Sequence, residues 1–461
     1  MIEIPKYNGT EAPDVSFSLC RKGVIFITAG FMTLGCRVNQ YETEALAEEL
    51  FKLGFSRGDF TEACDAYIIN TCAVTEESVR KSRQMVRRAK KKNPDAFIGV
   101  MGCASQLESS DFARIEGVSF VCGTRNKQEM VRAAELYLKS GKISGCAVSV
   151  APPRGALTKT CAVHSDRTRA YVKIEDGCNG KCSYCVIPFL RGDIVTRDEG
   201  EILDEVFRIA QNGCHEVVLT GIETAAYGNG LSRLIAKIDG IAGIERIRMG
   251  SLEPSFMKST FIDSIYDVPS LCHHFHLSVQ NGSDRILALM RRKYNTDMME
   301  RNIAYIREKI PDVNFSADVI VGFPGESEAD FEQTCRFIKR VGFLHLHIFT
   351  YSKRPGTEAA EMEGQIPEKI KMERLHYLES IAQEEKKKIL SRMIAEGKPV
   401  TVLSESVGEK YVTGHTGNFV ECGILRSGLD SESEEIKGEF YKAIPDKIDG
   451  ELLVCRRDCR E

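Results

Sequence analysis

The sequence predicts an α/β protein in three parts: a parallel-sheet unit over 24–138, a partial (β/α)6 barrel over 165–395 and a small β-barrel over 398–461. Three observations carry this. Short apolar runs alternate with helical patterns from 24 to about 138, and again from 170 to about 349. A polar stretch rich in Gly, Ser and Pro, 140–168 with Pro152 and Pro153, separates the two blocks. After Gly397 and Pro399 the pattern changes to short strands punctuated by Gly and Ser.

Residues 1–20 show no period. In the first block, apolar runs at 24–27, 66–69, 97–101 and 118–121 read as strands, and 42–52 and 76–92 as helices. Arg21, Lys22, the apolar stretch 23–35 and Cys36 also follow the order of a leader ending at a lipidated cysteine. Mostly polar residues precede the basic pair, however, and the stretch falls short of the ~20 apolar residues of a bilayer span. The strand reading is preferred, and no membrane partner is expected. The second block places strands at 171–174, 216–220, 246–249, 274–277, 314–321 and 345–349. The chemistry of such a barrel sits in the loops after the strands. A charged helix is expected over 368–394, then strands at 400–403, 411–414, 418–422 and 451–455.

The 461 residues are 43% hydrophobic and 28% charged, with a formal charge of −4, so no global field draws the chain to nucleic acid. RNA contact must come from a local patch. The 17 cysteines are dispersed and odd in number, which points to reduced thiols in a cytoplasm, several of them metal ligands.

The sharpest motif is Cys178-Asn179-Gly180-Lys181-Cys182-Ser183-Tyr184-Cys185, directly after the first barrel strand. Three thiolates on one tight loop converge on a metal centre, and on a four-iron cube they leave one iron open to a chelating ligand. Structural zinc is the alternative, but it needs four closed ligands and no nearby His or fourth Cys supplies the last. The loop, with Tyr184 before its last cysteine, resembles the radical S-adenosylmethionine superfamily. The resemblance extends to Thr220-Gly221-Ile222-Glu223, Ser251-Leu252-Glu253-Pro254, Leu277-Ser278-Val279-Gln280, Met290-Arg291-Arg292 and Gly322-Phe323-Pro324-Gly325-Glu326. It implies cofactor contacts at Tyr184, Gly221, Glu223, Glu253, Ser278, Gln280, Arg292 and Gly322. Arg292 suits the cofactor carboxylate, Glu253 or Gln280 the ammonium or ribose, and the glycines an approach of backbone to adenine.

In the first block Cys36, Cys72 and Cys103 each end a strand-like run, and the carboxyl ends of parallel strands share one edge. Cys122 ends a run just as well, so spacing leaves the set open. Leu34 to Thr43 (LGCRVNQYET), Asn70 to Val74 (NTCAV), and Gly102 with Cys103 resemble the methylthiotransferase family, and the likeness runs from 24 to 461. That family's pattern implies a Rossmann-like first domain and a terminal RNA-binding barrel of the TRAM type. It implies two 4Fe-4S clusters, one on Cys178, Cys182 and Cys185 and an auxiliary, sulfur-supplying one on Cys36, Cys72 and Cys103. It also implies a cytoplasmic monomer acting with S-adenosylmethionine, a reducing electron donor and the tRNA anticodon stem-loop.

The VNQYET run resembles the branch acting on N6-threonylcarbamoyladenosine, rather than those acting on isopentenyladenosine or a ribosomal-protein aspartate. Two stretches depart from the family pattern: Arg191 to Arg197 (RGDIVTR) is less basic than usual, and Glu223 stands where His or Asn is common. Arg191, just past the cluster loop, is the expected partner of the substrate carboxylate.

For nucleic acid, the helix at 76–92 aligns Arg80, Arg83, Arg87 and Lys91 at helical spacing. The terminal barrel has nine basic against thirteen acidic residues over 398–461. An RNA face there is expected to use Lys410, Tyr411, His415 and Phe419, with aromatic stacking.

Overall fold

The computed structural model describes residues 27–141, 145–154, 162, 168–426 and 437–458. Its first sheet has six parallel strands: β1 (Ile27–Thr33), β2 (Phe55–Gly58), β3 (Ala66–Thr71), β4 (Phe97–Gly102), β5 (Phe120–Cys122) and β6 (Ala147–Ser149). They lie in the order β2-β1-β3-β4-β5-β6. β3 and β4 are buried at every residue, because helices cover both faces and apolar runs there are continuous rather than alternating. Helix α1 (Arg37–Lys52) and the helix Gln128–Ser140 cover one face through Leu46, Leu50 and Met130. Helix α2 (Glu76–Lys92) covers the other through Val79 and Val86; it starts where the Thr75 side chain accepts from the Ser78 N–H at 3.1 Å. The chain leaves β1 for β2 on one side and β3 on the other. The strand order therefore reverses at β1/β3, and a crevice opens at the carboxyl ends there.

Three strands differ from expectation. The strand placed at 24–27 is found at Ile27–Thr33, and 24–26 lie outside the described residues. β2 is only four residues long and carries Ser56 and Arg57. β6 is an edge strand with exposed Ala147 and Val148, inside the stretch whose composition reads as linker, so the first sheet reaches Ser149.

β7 (Arg169–Lys173) is followed by a small antiparallel pair, β8 (Glu175–Asp176) and β9 (Val195–Thr196), which closes the long loop after it. β7 pairs in parallel with β10 (Glu216–Thr220), and β10 with β11 (Arg246–Met249). A second parallel run joins β12 (Ser251–Leu252), β13 (His274–Gln280), β14 (Asn314–Val321) and β15 (His345–Thr350). β11 and β12 are one strand position broken at Gly250, and a bridge from Ile247 to Leu271 links the two runs. The result is a six-position open barrel. Alternation sorts its residues. Val172, Val217, Leu219, Ile247, Phe275, Leu277, Phe315 and Ala317 pack outward into the main core. Their neighbours, Arg169, Tyr171, Lys173, Glu216, Arg246, Arg248, His274, His276, Ser316, Asp318 and His347, face the lumen.

After the long helix Glu368–Glu396, five strands form a closed barrel: β16 (Val400–Val407), β17 (Tyr411–Thr416), β18 (Glu421–Leu425), β19 (Phe440–Asp449) and β20 (Leu452–Arg457). The β17–β18 loop plugs the floor of the open barrel. Arg246 donates to the carbonyls of His415 (2.9 Å) and Thr401 (2.6 Å), Arg248 to that of Gly417 (3.2 Å), and Asn314 to that of Asn418 (3.0 Å). No described helix is long and apolar enough to cross a membrane.

Candidate functional site

The loop after β7 carries Cys178, Cys182 and Cys185 to the barrel mouth, where donors meet their sulfurs. The Gly180 N–H lies 3.3 Å from Cys178 Sγ, and Arg292 Nη1 lies 3.0 Å from Cys182 Sγ. Burial pushes the Cys178 thiol up, and the Gly180 amide opposes it. Among the described residues no three His, Cys, Asp or Glu side chains close tightly enough for a single ion. Three thiols on one loop suit a cluster with an open iron rather than a four-ligand zinc cage.

Beside the loop, Arg292 binds Tyr294 Oη (2.8 Å) and the Ser278 carbonyl (3.4 Å) and faces Glu253 at 3.8 Å. Gly221 is glycine because a Cβ there would stand 1.9 Å from Glu175 Oε1. That closeness lets Glu175 accept the Glu223 N–H at 2.6 Å. Burial pushes the Glu175 carboxyl up to about 8, and burial with the Glu253 charge pushes Glu223 up to about 7. Glu175 Oε2 and Glu223 Oε1 are buried without a hydrogen-bond partner among the described residues. Acceptors of this kind fit a cofactor bearing an ammonium and ribose hydroxyls. Gln280 sits at φ 66°, where the β13–β14 register shifts, a strained backbone for a side-chain-bearing residue. Tyr184 packs with Met290, Phe323 and Tyr351. Gly322 has a different reason from the expected one: a Cβ there would meet Lys371 Cγ at 2.4 Å, so its lack of a side chain seats the long helix.

Cys36, Cys72 and Cys103 follow β1, β3 and β4 at the crevice. A Cβ on Gly35 would lie 2.7 Å from Cys72 Sγ, so the first two loops adjoin, and Cys103 feels the charges of both Cys36 and Cys72. Cys122 is set apart. It packs with Met130 and Ala133 on the sheet face that α1 covers, and the groups acting on it are Lys127, Glu42 and Glu129.

Arg191 requires a correction. It is 0% exposed, so no substrate carboxylate can reach it. Its guanidinium donates to Glu42 (3.0 Å), Asp176 (3.0 Å), Asn39 (2.6 Å) and Cys103 Sγ (3.4 Å). Lys127 and Lys173 also pair with Glu42, at 2.7 and 3.0 Å. Burial opposes ionisation of Glu42 and Asp176, but Arg191 and its companion lysines overcome it; Asp176 is held down at about 2. Burial pushes the Cys103 thiol up to about 12, and the Arg191 charge beside it acts in the opposite direction. Sequence reasoning missed Glu42, Lys127, Lys173 and Asp176. Their signal is charge in strand ends and helix faces that otherwise read as buried.

The expected RNA face of the terminal barrel is corrected too. Phe419, at φ 69°, is sandwiched between His274 (4.5 Å between centroids) and His415 (4.7 Å), with Arg248 over its ring. His415 pairs with Glu405 at 2.6 Å. Both rings belong to the plug. Lys410 and Tyr411 are outside it and share Asp449, at 3.2 and 3.0 Å. On α2, Arg80 pairs with Glu77 and Arg83 with Glu108, whereas Arg87 and Lys91 are exposed and have no partner among the described residues.

The lumen was also missed, although Arg-x-Tyr-x-Lys in β7, Arg-x-Arg in β11, His-x-His in β13 and Ser-x-Asp in β14 spell it out at strand period.

Comparison with known proteins agrees with this layout. Residues 172–338 match the radical SAM superfamily model, and 28–123 match a model described as uncharacterized protein family UPF0004. The chain is similar to the threonylcarbamoyladenosine tRNA methylthiotransferase MtaB of Bacillus subtilis, 35% identical over 90% of this chain and 94% of that protein. It is also similar to the tRNA-2-methylthio-N(6)-dimethylallyladenosine synthase of Syntrophus aciditrophicus, 34% identical over 88% and 93%. Among solved structures, the radical S-adenosylmethionine methyltransferase TsrM of Kitasatospora setae shares the fold, with a TM-score of 0.56 at 14% identity over 73% of this chain and 77% of that one.

Proposed function

Because the chain belongs to the radical S-adenosylmethionine tRNA methylthiotransferase family, we propose that it places a methylthio group at C2 of N6-threonylcarbamoyladenosine in tRNA. The observation that carries this reading is the link between the two trios. The loop of Cys178, Cys182 and Cys185 runs directly into the helix Ile187–Arg191, whose last residue touches Cys103. Groups held at the two trios would then be presented to one substrate.

When bound, a 4Fe-4S cluster at each trio and S-adenosylmethionine would supply the electron, the carbon radical, the sulfur and the methyl group. The chain's residues do the rest. Arg292 orients the cofactor carboxylate beside Cys182. Glu223, Glu253 and the Ser278 carbonyl receive its donors. Arg191 holds the two trios in fixed register. Gly180 and Arg292 at one trio, and Arg191 at the other, would hydrogen-bond the ligating sulfurs. A base inside a stacked anticodon loop cannot reach the lumen, so the target adenosine is splayed out, while Arg87 and Lys91 of α2 engage backbone phosphates. The enzyme acts as a cytoplasmic monomer supplied by a reducing electron donor.

The test offers anaerobically reconstituted enzyme three tRNAs, bearing threonylcarbamoyladenosine, isopentenyladenosine or plain adenosine, and reads the nucleosides by mass spectrometry. The 2-methylthio product is expected from the first alone. Preference for the isopentenyl tRNA, or equal turnover of plain adenosine, overturns the substrate and leaves the radical chemistry standing.

A further inference from the structure

Arg37 opens α1 immediately after Cys36. α1 is seated against β7, with Tyr41 and Tyr171 packed together and Lys173 bonded to Glu42. That seating turns Arg37 into the open barrel. Its electrostatic neighbours are Tyr171 of β7, Arg169 and Arg248 on the lumen face, and Asp318 of β14; His347 of β15 feels its charge in turn. Arg37 is partly buried, yet no hydrogen bond or ion pair joins it to any described residue. The nearby acids are engaged elsewhere. Asp318 faces His276 at 3.1 Å, and Glu216 serves Arg169 (3.0 Å), Arg248 (3.0 Å) and Arg246 (3.5 Å).

Glu405 likewise pairs with Arg169, so Arg37 stands beside Arg169 and Arg248 with no acid of its own among the described residues. A partly desolvated cation among like charges gains most from an anion brought in by a ligand. The ligand has to be planar or forked to use the guanidinium fully, which a carboxylate is. Phe349, 43% exposed and on the same side of β15 as His347, offers an aromatic surface for the accompanying base.

We propose that Arg37 is the specificity residue that receives the carboxylate on the N6 substituent of the target adenosine. The assignment rests on the substrate reading above and replaces Arg191 in that role. It also separates two carboxylates: Arg292 takes the cofactor's at the mouth, and Arg37 the substrate's deeper in the lumen.

The experiment measures binding, not turnover. Reconstituted wild type, Arg37→Gln and Arg37→Lys are titrated with anticodon stem-loop oligonucleotides carrying threonylcarbamoyladenosine, its methyl ester or plain adenosine, and separately with S-adenosylmethionine. Iron content and the electron paramagnetic resonance of both clusters verify that the loop at Cys36 is intact. Wild type is expected to prefer the free acid to the ester. Arg37→Gln should lose that preference, on the order of tenfold to a hundredfold in affinity for the acid alone, and Arg37→Lys should keep part of it. Equal weakening toward all three oligonucleotides assigns the anion to a backbone phosphate and overturns the proposal. Weakening toward S-adenosylmethionine assigns it to the cofactor and does the same. If wild type discriminates and Arg37→Gln discriminates equally, this inference fails alone; if wild type never prefers the acid, the substrate reading fails with it.

Discussion

Arg191 shows how a residue in a correctly located motif can have an unexpected task. Its position after the cluster loop is plain in the sequence, but its burial depends on Glu42 and Asn39 arriving from α1, which no local pattern reveals. Removing the guanidinium leaves the buried Glu42 and Asp176 with less countercharge. Arg191→Met should therefore cost about 3–5 kcal/mol, read as a lowered thermal midpoint, with Arg191→Lys falling between because it cannot span both carboxylates. An unchanged midpoint in the methionine variant would remove Arg191 as the clamp between the trios. Glu216 makes the same case within the lumen. Burial alone would raise its carboxyl, but Arg248 and Arg169 hold it down at about 2. A folded pKa below the unfolded value gives stability that is complete above the ordinary carboxylate range and lost as pH falls through the folded value. Glu216→Gln should melt below wild type at pH 7, by an amount equivalent to roughly 3 kcal/mol, and the gap should close as pH falls from about 4.5 toward 2. A gap constant with pH would mean that Glu216 contributes packing and not charge.

At the scale of elements, central strands were legible where burial on both faces forces continuous apolar runs, as in β3 and β4. Edge strands were not, since β6 buries too little to need them. Helix α2 was legible to the residue: Thr75 caps it, Glu76 and Glu77 favour its start, and Lys90, Lys91 and Lys92 favour its end. Its charge, however, is divided by partners. Arg83 is committed to Glu108 and Asp111, so reversing it should mainly destabilise the domain. Arg87 and Lys91 are unpartnered among the described residues and should carry phosphate contacts. The double variant Arg87→Glu, Lys91→Glu is expected to bind tRNA more weakly and to reduce the slope of log affinity against log salt by about 1–2. Identical slopes in variant and wild type would place the RNA elsewhere. The terminal barrel was legible in its strands except β19, for which no strand was expected, but not in its orientation. Phe419 and His415 read as stacking residues for bases, and they do stack, against His274 and one another in the barrel floor.

For the whole molecule the question is whether two trios make two clusters or one shared centre. Cys178, Cys182 and Cys185 lie on one continuous loop, whereas Cys36, Cys72 and Cys103 come from three strand ends of another sheet, so each set is organised by its own part of the fold. Arg191 links the sets through a hydrogen bond to Cys103 and supplies no ligand of its own. Two independent cubes should therefore form, about eight irons per chain in anaerobic protein. Replacing Cys178, Cys182 and Cys185 together by Ala should leave about four irons and abolish cleavage of S-adenosylmethionine. Replacing Cys36, Cys72 and Cys103 should also leave about four, keep cofactor cleavage and abolish the methylthio product. Cys122 is the control, because it lies in the core on the α1 side of the sheet, among Met130 and Ala133. Cys122→Ala should retain all the iron and cost on the order of 1 kcal/mol as a small loss of packing. Iron analysis with electron paramagnetic resonance decides among these. Loss of both signals on removing either trio would mean one cooperative centre, and loss of iron in Cys122→Ala would reassign the auxiliary ligands.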